Sequence, residues 1–202
     1  MTLSLAERIA ERRGEKDSLF VVKLLVSVLA VLCIVMTVWG CVVVDGSSME
    51  NTLHDGDFVF INKLAEPQRG DIVVVDMGRS DSDNVIKRVI ALEGDALYAE
   101  NGVLYLFPAG AEGFSIVDED YLFEEWLDIS DVKPNTFGSE EDPLVIEEGY
   151  FFYMGDNRND SYDCRAYGQQ PIDHVLGVVT NWSMAIKDGL TSFLQMFSTG
   201  NR

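Results

Sequence analysis

Between Leu24 and Val44 the chain runs for 21 residues, LLVSVLAVLCIVMTVWGCVVV, without a charge. As a helix this segment covers ~31 Å, about the thickness of a bilayer's hydrocarbon core. A helix in a soluble core seldom stays apolar on every face for this long. A cleaved leader would carry a shorter apolar stretch ending in small residues, whereas Trp39 and the β-branched Val42 to Val44 stand at this exit. A lipid-modified Cys41 after Gly40 is disfavoured by the bulk of Trp39. The segment therefore reads as an uncleaved anchor, assigned to residues 19–44, after a short cytosolic helix over 1–18.

The flanks orient it. Arg8, Arg12, Arg13, Lys16 and Lys23 precede or open the span, and the next basic residue is Lys63. Orientation follows Lys and Arg rather than net charge, so the N-terminus is predicted inside the cell and residues 45–202 outside. The whole chain has 15 basic and 34 acidic residues, a formal charge of -19. That balance excludes general nucleic-acid binding, which needs a basic footprint. It does not imply disorder, because 47% of the residues are hydrophobic. An exterior this acidic should touch membrane lipid only through apolar surface. Three cysteines, two of them inside the apolar segment, offer no disulfide framework. His54 and His174 are too few for a His/Cys metal site and read as surface residues.

Beyond the anchor the pattern is that of β-structure. Short apolar or alternating runs recur at 57–62, 71–76 and 85–92, then at PLVIEE, YFFYM and VLGVVT. ALYAE and VLYLF flank Asn101-Gly102, a strong hairpin signal. Many short strands separated by turns predict a mainly β fold, a barrel or sandwich. Residues 112–148 hold 13 acidic residues and one basic one, and read as an insert with a solvated acidic face. Asp118, Glu119 and Asp120 adjoin there without the spacing of a calcium loop. From Trp182 to Phe197 apolar residues fall at helical spacing, which predicts a helix packed on the β-domain, with an interfacial membrane helix as the alternative.

Four blocks carry the chemistry: GSSMENTLHDGD (46–57), RGDIVVV (69–75), VIKRVIALEGD (85–95) and GDNRNDSYDCRAYG (155–168). A plain loop would use the Gly, Asn and Asp of the last block, but not two arginines among carboxylates. In this order the blocks resemble the type I signal peptidases, membrane-bound Ser/Lys proteases, and the resemblance covers the anchor and most of residues 44–180. It implies Ser48, before Met49, as nucleophile and Lys87, before Arg88, as general base. It implies that Ser161, Asp163 and Arg165 support the lysine. Ser47 is an adjacent competitor that only the resemblance sets aside.

A serine hydroxyl needs a nearby base, and a lysine serves as one only when neutral. Burial favours the neutral form, and Val85, Ile86, Val89 and Ile90 supply apolar surroundings for Lys87. The Ser48 N–H is the expected oxyanion donor. Gly46 stands where some members carry a second, hydroxyl donor, and it also allows close backbone approach. An extended substrate should add as a strand beside the residues before Ser48 and beside Asn84 to Ile86. By resemblance Val44, Met49, Leu53, Val85 and Ile86 would line shallow apolar pockets suited to Ala-x-Ala.

The chain departs from the family pattern at several positions. Asn51 replaces a usual proline, Val85 a tyrosine and Cys164 a serine, while Ala91 and Glu93 stand at usual Gly and Pro positions. The implied activity is removal of signal peptides from secretory preproteins, without metal or cofactor. A non-catalytic, membrane-tethered binding or chaperone-like relative on the same fold is the alternative; it should have lost the serine or the lysine. A self-cleaving regulator would need a DNA-binding domain and a basic surface. A lipid-anchored binding module would need acylation at Cys41.

Overall fold

The computed structural model describes residues 5–78, 84–122, 124, 126 and 136–199, with only the backbone of 5–17 and 194–199. The side chains of Leu194 and Phe197 and much of the acidic insert, including Lys133, lie outside the described residues. The chain forms two compact units, residues 1–39 and 40–202.

The first unit is one helix, α1 (Leu5–Val38), so the expected cytosolic segment and the apolar span are a single continuous element. Its stretch Ser18–Val38 has the length and apolar composition to cross a membrane, and none of it is buried. The expected anchor over 19–44 is too long at its end. Trp39–Val43 form strand β1, and Val44, 2% exposed, sits in the core of the second unit. Gly40 is a poor helix former, and the β-branched Val42 to Val44 favour extended backbone.

The second unit is built on antiparallel strands. β2 (Phe58–Asn62), β3 (Ile72–Val75), β4 (Val85–Leu92), β9 (Tyr150–Met154), β10 (Gln170–Pro171) and β11 (Val175–Val179) join β1 in a seven-stranded sheet, ordered β1-β2-β11-β3-β4-β9-β10. A four-stranded sheet, ordered β7-β6-β5-β8, contains β5 (Ala96–Glu100), β6 (Val103–Phe107), β7 (Ser115–Ile116) and β8 (Leu144–Val145). The β5–β6 hairpin pairs Glu100 with Val103 across two residues, Asn101 at φ 52° and Gly102 at φ 76°. Those left-handed angles are the ones a type I′ turn requires.

β3 is buried on both faces, which explains its unbroken IVVV. Val73 and Val75 join a core that includes Val89, Leu97, Leu104, Phe151, Phe152 and Tyr153. Ile72 and Val74 join a second core with Val44, Met49, Leu53, Val59, Ile61, Ile86 and Val179. On β2 the alternation continues: Val59 and Ile61 point inward, while Phe58 and Phe60 are only partly covered.

The C-terminal helix α3 (Asn181–Thr199) packs on β2. Phe60 N–H donates to Ser183 Oγ at 3.1 Å and Phe58 N–H to Thr191 Oγ1 at 3.1 Å. Phe60 also packs on Trp182, with ring centroids 5.1 Å apart. The expectation of packing is met on that face; Trp182, Ile186 and Phe193 remain exposed. His54 is exposed as expected, whereas His174 is half-buried in a 3-10 turn before β11.

Candidate active site

The turn carrying Ser48 is pinned at both ends. Val44 N–H donates to Asp57 O at 2.8 Å and Gly56 N–H to Val44 O at 2.9 Å. Gly46, at φ +87°, takes a left-handed conformation open to glycine, and its N–H donates to Asp55 Oδ1 at 2.9 Å. Thr52 and Leu53 N–H both donate back to Met49 O, closing a helical turn after the serine. Asn51 stands at φ +78°, an angle proline cannot adopt, so this departure from the family pattern goes with the turn actually formed.

Lys87 projects from β4, with Val85 and Val89 on its side of the strand. It is 3% exposed. Its Nζ stands 2.5 Å from Ser48 Oγ and donates to Ile86 O at 3.0 Å. Burial is the main cause that lowers its pKa from the usual 10.5 to about 8; nearby Asp163 and Asp156 oppose the shift and Arg165 adds to it. Ser47 does not compete for this position, because its hydroxyl donates to Asp160 Oδ2 at 2.5 Å. The Ser48 N–H has no hydrogen-bond partner among the described residues.

Beneath the pair lies the fourth block. Asp163, fully buried, accepts from Arg165 Nε at 2.8 Å, Arg165 Nη2 at 2.9 Å, Gly155 N–H at 2.9 Å and Ser161 Oγ at 2.7 Å. Burial alone would push this carboxyl up, but the Arg165 guanidinium and the converging donors hold it below the usual range. Asp163 also caps the short helix α2 (Cys164–Tyr167). Among the described residues Ser161 Oγ bonds to Asp163 and not to Lys87. Gly155 has no room for a side chain: a Cβ there would collide with Ser161 Oγ and the Ser48 carbonyl. Cys164 is fully buried and its Sγ accepts from Tyr153 N–H at 3.3 Å. Burial pushes its thiol well up, which removes it as a thiolate nucleophile.

Two further ion pairs tie the blocks together. Arg88 grips Asp156 with Nε and Nη2 at 2.8 and 2.6 Å, and Asp156 in turn accepts from Thr52 Oγ1 at 2.5 Å. Arg69 grips Asp95 in the same two-toothed way, through Nε at 2.6 Å and Nη2 at 2.5 Å. Motif arginines thus join separate strands and turns.

A cleft of about 120 Å³ opens at the serine, lined by Val42–Asp45, Ser48, Val74 and Asn84–Lys87. Val44, Val85 and Ile86 lie in this wall. Met49 and Leu53 do not: both are 0% exposed and belong to the core behind it. β9 pairs with β4 only from Arg88 onward, so one edge of Val85 and Ile86 is open beside the cleft. Every described acidic residue of the insert except Glu119 is exposed, as expected of a solvated acidic face. Glu119 bonds the buried Arg158 at 2.6 Å, with the two side chains 9% and 1% exposed. Sequence reasoning missed that contact, since nothing in the sequence sets Glu119 apart from the exposed carboxylates beside it.

The family described as "Signal peptidase, peptidase S26" matches residues 18–183. A signal peptidase I of Bacillus licheniformis is 34% identical over 75% of this chain and 81% of that protein. One from Aquifex aeolicus is 30% identical over 78% of this chain and 80% of that protein. The crystal structure of a signal peptidase I from Enterococcus faecalis aligns at 30% identity over 57% of this chain and 98% of that one, with a TM-score of 0.44. With the family match spanning most of its length, the chain belongs to the signal peptidases of peptidase family S26 and is a hydrolase of signal peptides.

Proposed function

We propose that this signal peptidase is a membrane-anchored serine endopeptidase in which Ser48 is the nucleophile and Lys87 the general base. The observation that carries the reading is the 2.5 Å approach of Lys87 Nζ to Ser48 Oγ, with the lysine 3% exposed. Neutral Lys87 takes the Ser48 proton as Oγ attacks the scissile carbonyl. The oxyanion accepts from the Ser48 N–H. Protonated Lys87 then gives its proton to the leaving amine, and the ester forms. Water, deprotonated by Lys87, attacks the ester and releases Ser48. Gly46, Ser161, Asp163 and Arg165 hold this geometry without exchanging protons.

The substrate is a secretory preprotein lying extended in the cleft between Val42–Asp45 and Asn84–Ile86. The small volume beside Val44, Val85 and Ile86 suits alanine side chains of an Ala-x-Ala site. α1 anchors the enzyme in lipid as a single span, with the catalytic unit on the extracytoplasmic side, a reading supported by the Lys and Arg distribution. No step calls on a metal or cofactor.

The test is cleavage of an Ala-x-Ala preprotein by the detergent-solubilised enzyme, with the new N-terminus identified by mass spectrometry. The active form holds neutral Lys87, so kcat/KM should rise about tenfold per pH unit below the lysine pKa of about 8 and level off above it. Absence of cleavage at every pH from 6 to 10, each roughly within two units of that midpoint, would overturn the proposal. So would a rate that falls as pH rises through 8.

A further inference from the structure

The acidic insert reaches the catalytic floor along two routes that the reaction scheme does not use. The first starts at Glu119. Its Oε1 accepts from Arg158 Nη2 at 2.6 Å and from the Tyr121 hydroxyl at 3.0 Å. Arg158 passes the restraint on, because its Nε donates to Gly155 O at 2.9 Å. Arg165 Nη1 donates to Arg158 O at 2.7 Å, so the same residue is held at its backbone. Gly155 is the residue wedged against Ser161 and the Ser48 carbonyl, and Asn157 N–H donates to that carbonyl at 3.1 Å.

The second route starts at Tyr121. Its ring lies 3.9 Å from the Arg88 guanidinium carbon, a cation–π stack. Arg88 adjoins Lys87 on β4 and grips Asp156, which holds Thr52 four residues after the nucleophile. One route thus bears on the peptide under Ser48, the other on the base strand and the end of the nucleophile's turn.

Building on the proposed Ser48–Lys87 mechanism, we infer that Glu119 and Tyr121 are positioning residues, through which the insert fixes the separation of Ser48 and Lys87. Neither touches the reacting atoms. Arg158 is too buried to hold its charge unaided, and Glu119 is its carboxylate partner. Without Glu119 the guanidinium keeps only the Tyr121 hydroxyl, 3.3 Å from Nη2, beside its bond to Gly155 O, and loses the carboxylate that fixes it there. A shift of about 1 Å between reacting groups is enough to cost ~100-fold in rate.

Glu119→Ala and Tyr121→Ala test this in the full chain, with kcat measured per folded enzyme well below the unfolding temperature. Each should lower kcat by roughly 10- to 100-fold while KM stays within about twofold. Glu119→Gln keeps size and an acceptor oxygen and should recover part of the loss; Tyr121→Phe keeps the stack on Arg88 but loses the hydroxyl's bonds to Glu119 and Arg158, and should also recover only part. A purely structural role predicts a lower unfolding temperature with parental kcat in the folded fraction, and that result would overturn the inference. A rise in KM at unchanged kcat would do the same. Should the alanine variants fail to fold, Glu119→Gln decides: reduced kcat at parental KM supports the role, and parental kcat overturns it. A parent enzyme that cuts no preprotein would instead remove the mechanism beneath the inference.

Discussion

Ser48→Ala, Lys87→Met and Lys87→Arg should each reduce preprotein cleavage by at least about a thousandfold, at every pH at which the parent works. The three variants remove different things. Ser48→Ala removes the attacking oxygen and leaves the lysine in its pocket. Lys87→Met keeps an unbranched chain of similar length but has no proton acceptor. Lys87→Arg keeps a donor and a positive charge beside Ser48 Oγ, yet a guanidinium stays protonated and cannot act as a base. If the lysine served only to hold the serine in place, Lys87→Arg would retain much of the rate. A Lys87→Met enzyme within about tenfold of the parent would sink the dyad. Folding should not confuse the outcome. Lys87 is a buried amine whose charged form burial disfavours, so Lys87→Met should unfold at the same temperature or higher.

Much of the fold is readable before any coordinates. β4, β5, β6 and β9 begin and end where VIKRVIAL, ALYAE, VLYLF and YFFYM do, because period-two patterning and the Asn101-Gly102 turn are local signals. The helix-to-strand change at Val38 is not readable, since the run stays apolar on both sides of it. Apolar character likewise cannot tell pocket wall from core, and so Met49 and Leu53 were expected in the cleft and lie behind it. The Ser48–Lys87 pair is legible only through the order of the four blocks. Geometry separates Ser47 from Ser48 afterwards, since one hydroxyl is spent on Asp160 and the other faces Lys87. The Glu119–Arg158 pair spans 39 positions, and no local rule connects its ends.

Arg165→Ala should give the largest loss of stability, about 3–5 kcal/mol at neutral pH. Asp163 is fully buried, and Arg165 is its only cationic partner among the described ion pairs. The variant leaves the carboxylate with Gly155 N–H, Ser161 Oγ and its helix-cap bond, but without its ion-pair partner. It also frees the carbonyls of Arg158 and Ser161, both held by Arg165. The sign of the pH dependence follows from Asp163. Its pKa is held below the ordinary 3.8 in the folded parent, so the stabilisation is fully present above that value and fades as pH falls through the lowered one. In the variant, burial without the guanidinium raises the same pKa, and the group protonates sooner. The gap between parent and variant should therefore be widest near neutrality and narrow in acid. Urea unfolding of the detergent-solubilised chain, followed by tryptophan fluorescence, measures it. Arg165→Lys should recover only part of the loss, because an ammonium cannot span both carboxylate oxygens. Asp163→Asn combined with Arg165→Ala should cost less than the sum of the single changes, since no buried charge is then left alone. A loss under about 1 kcal/mol, or one that widens in acid, would mean that the pair does not hold the catalytic floor in place.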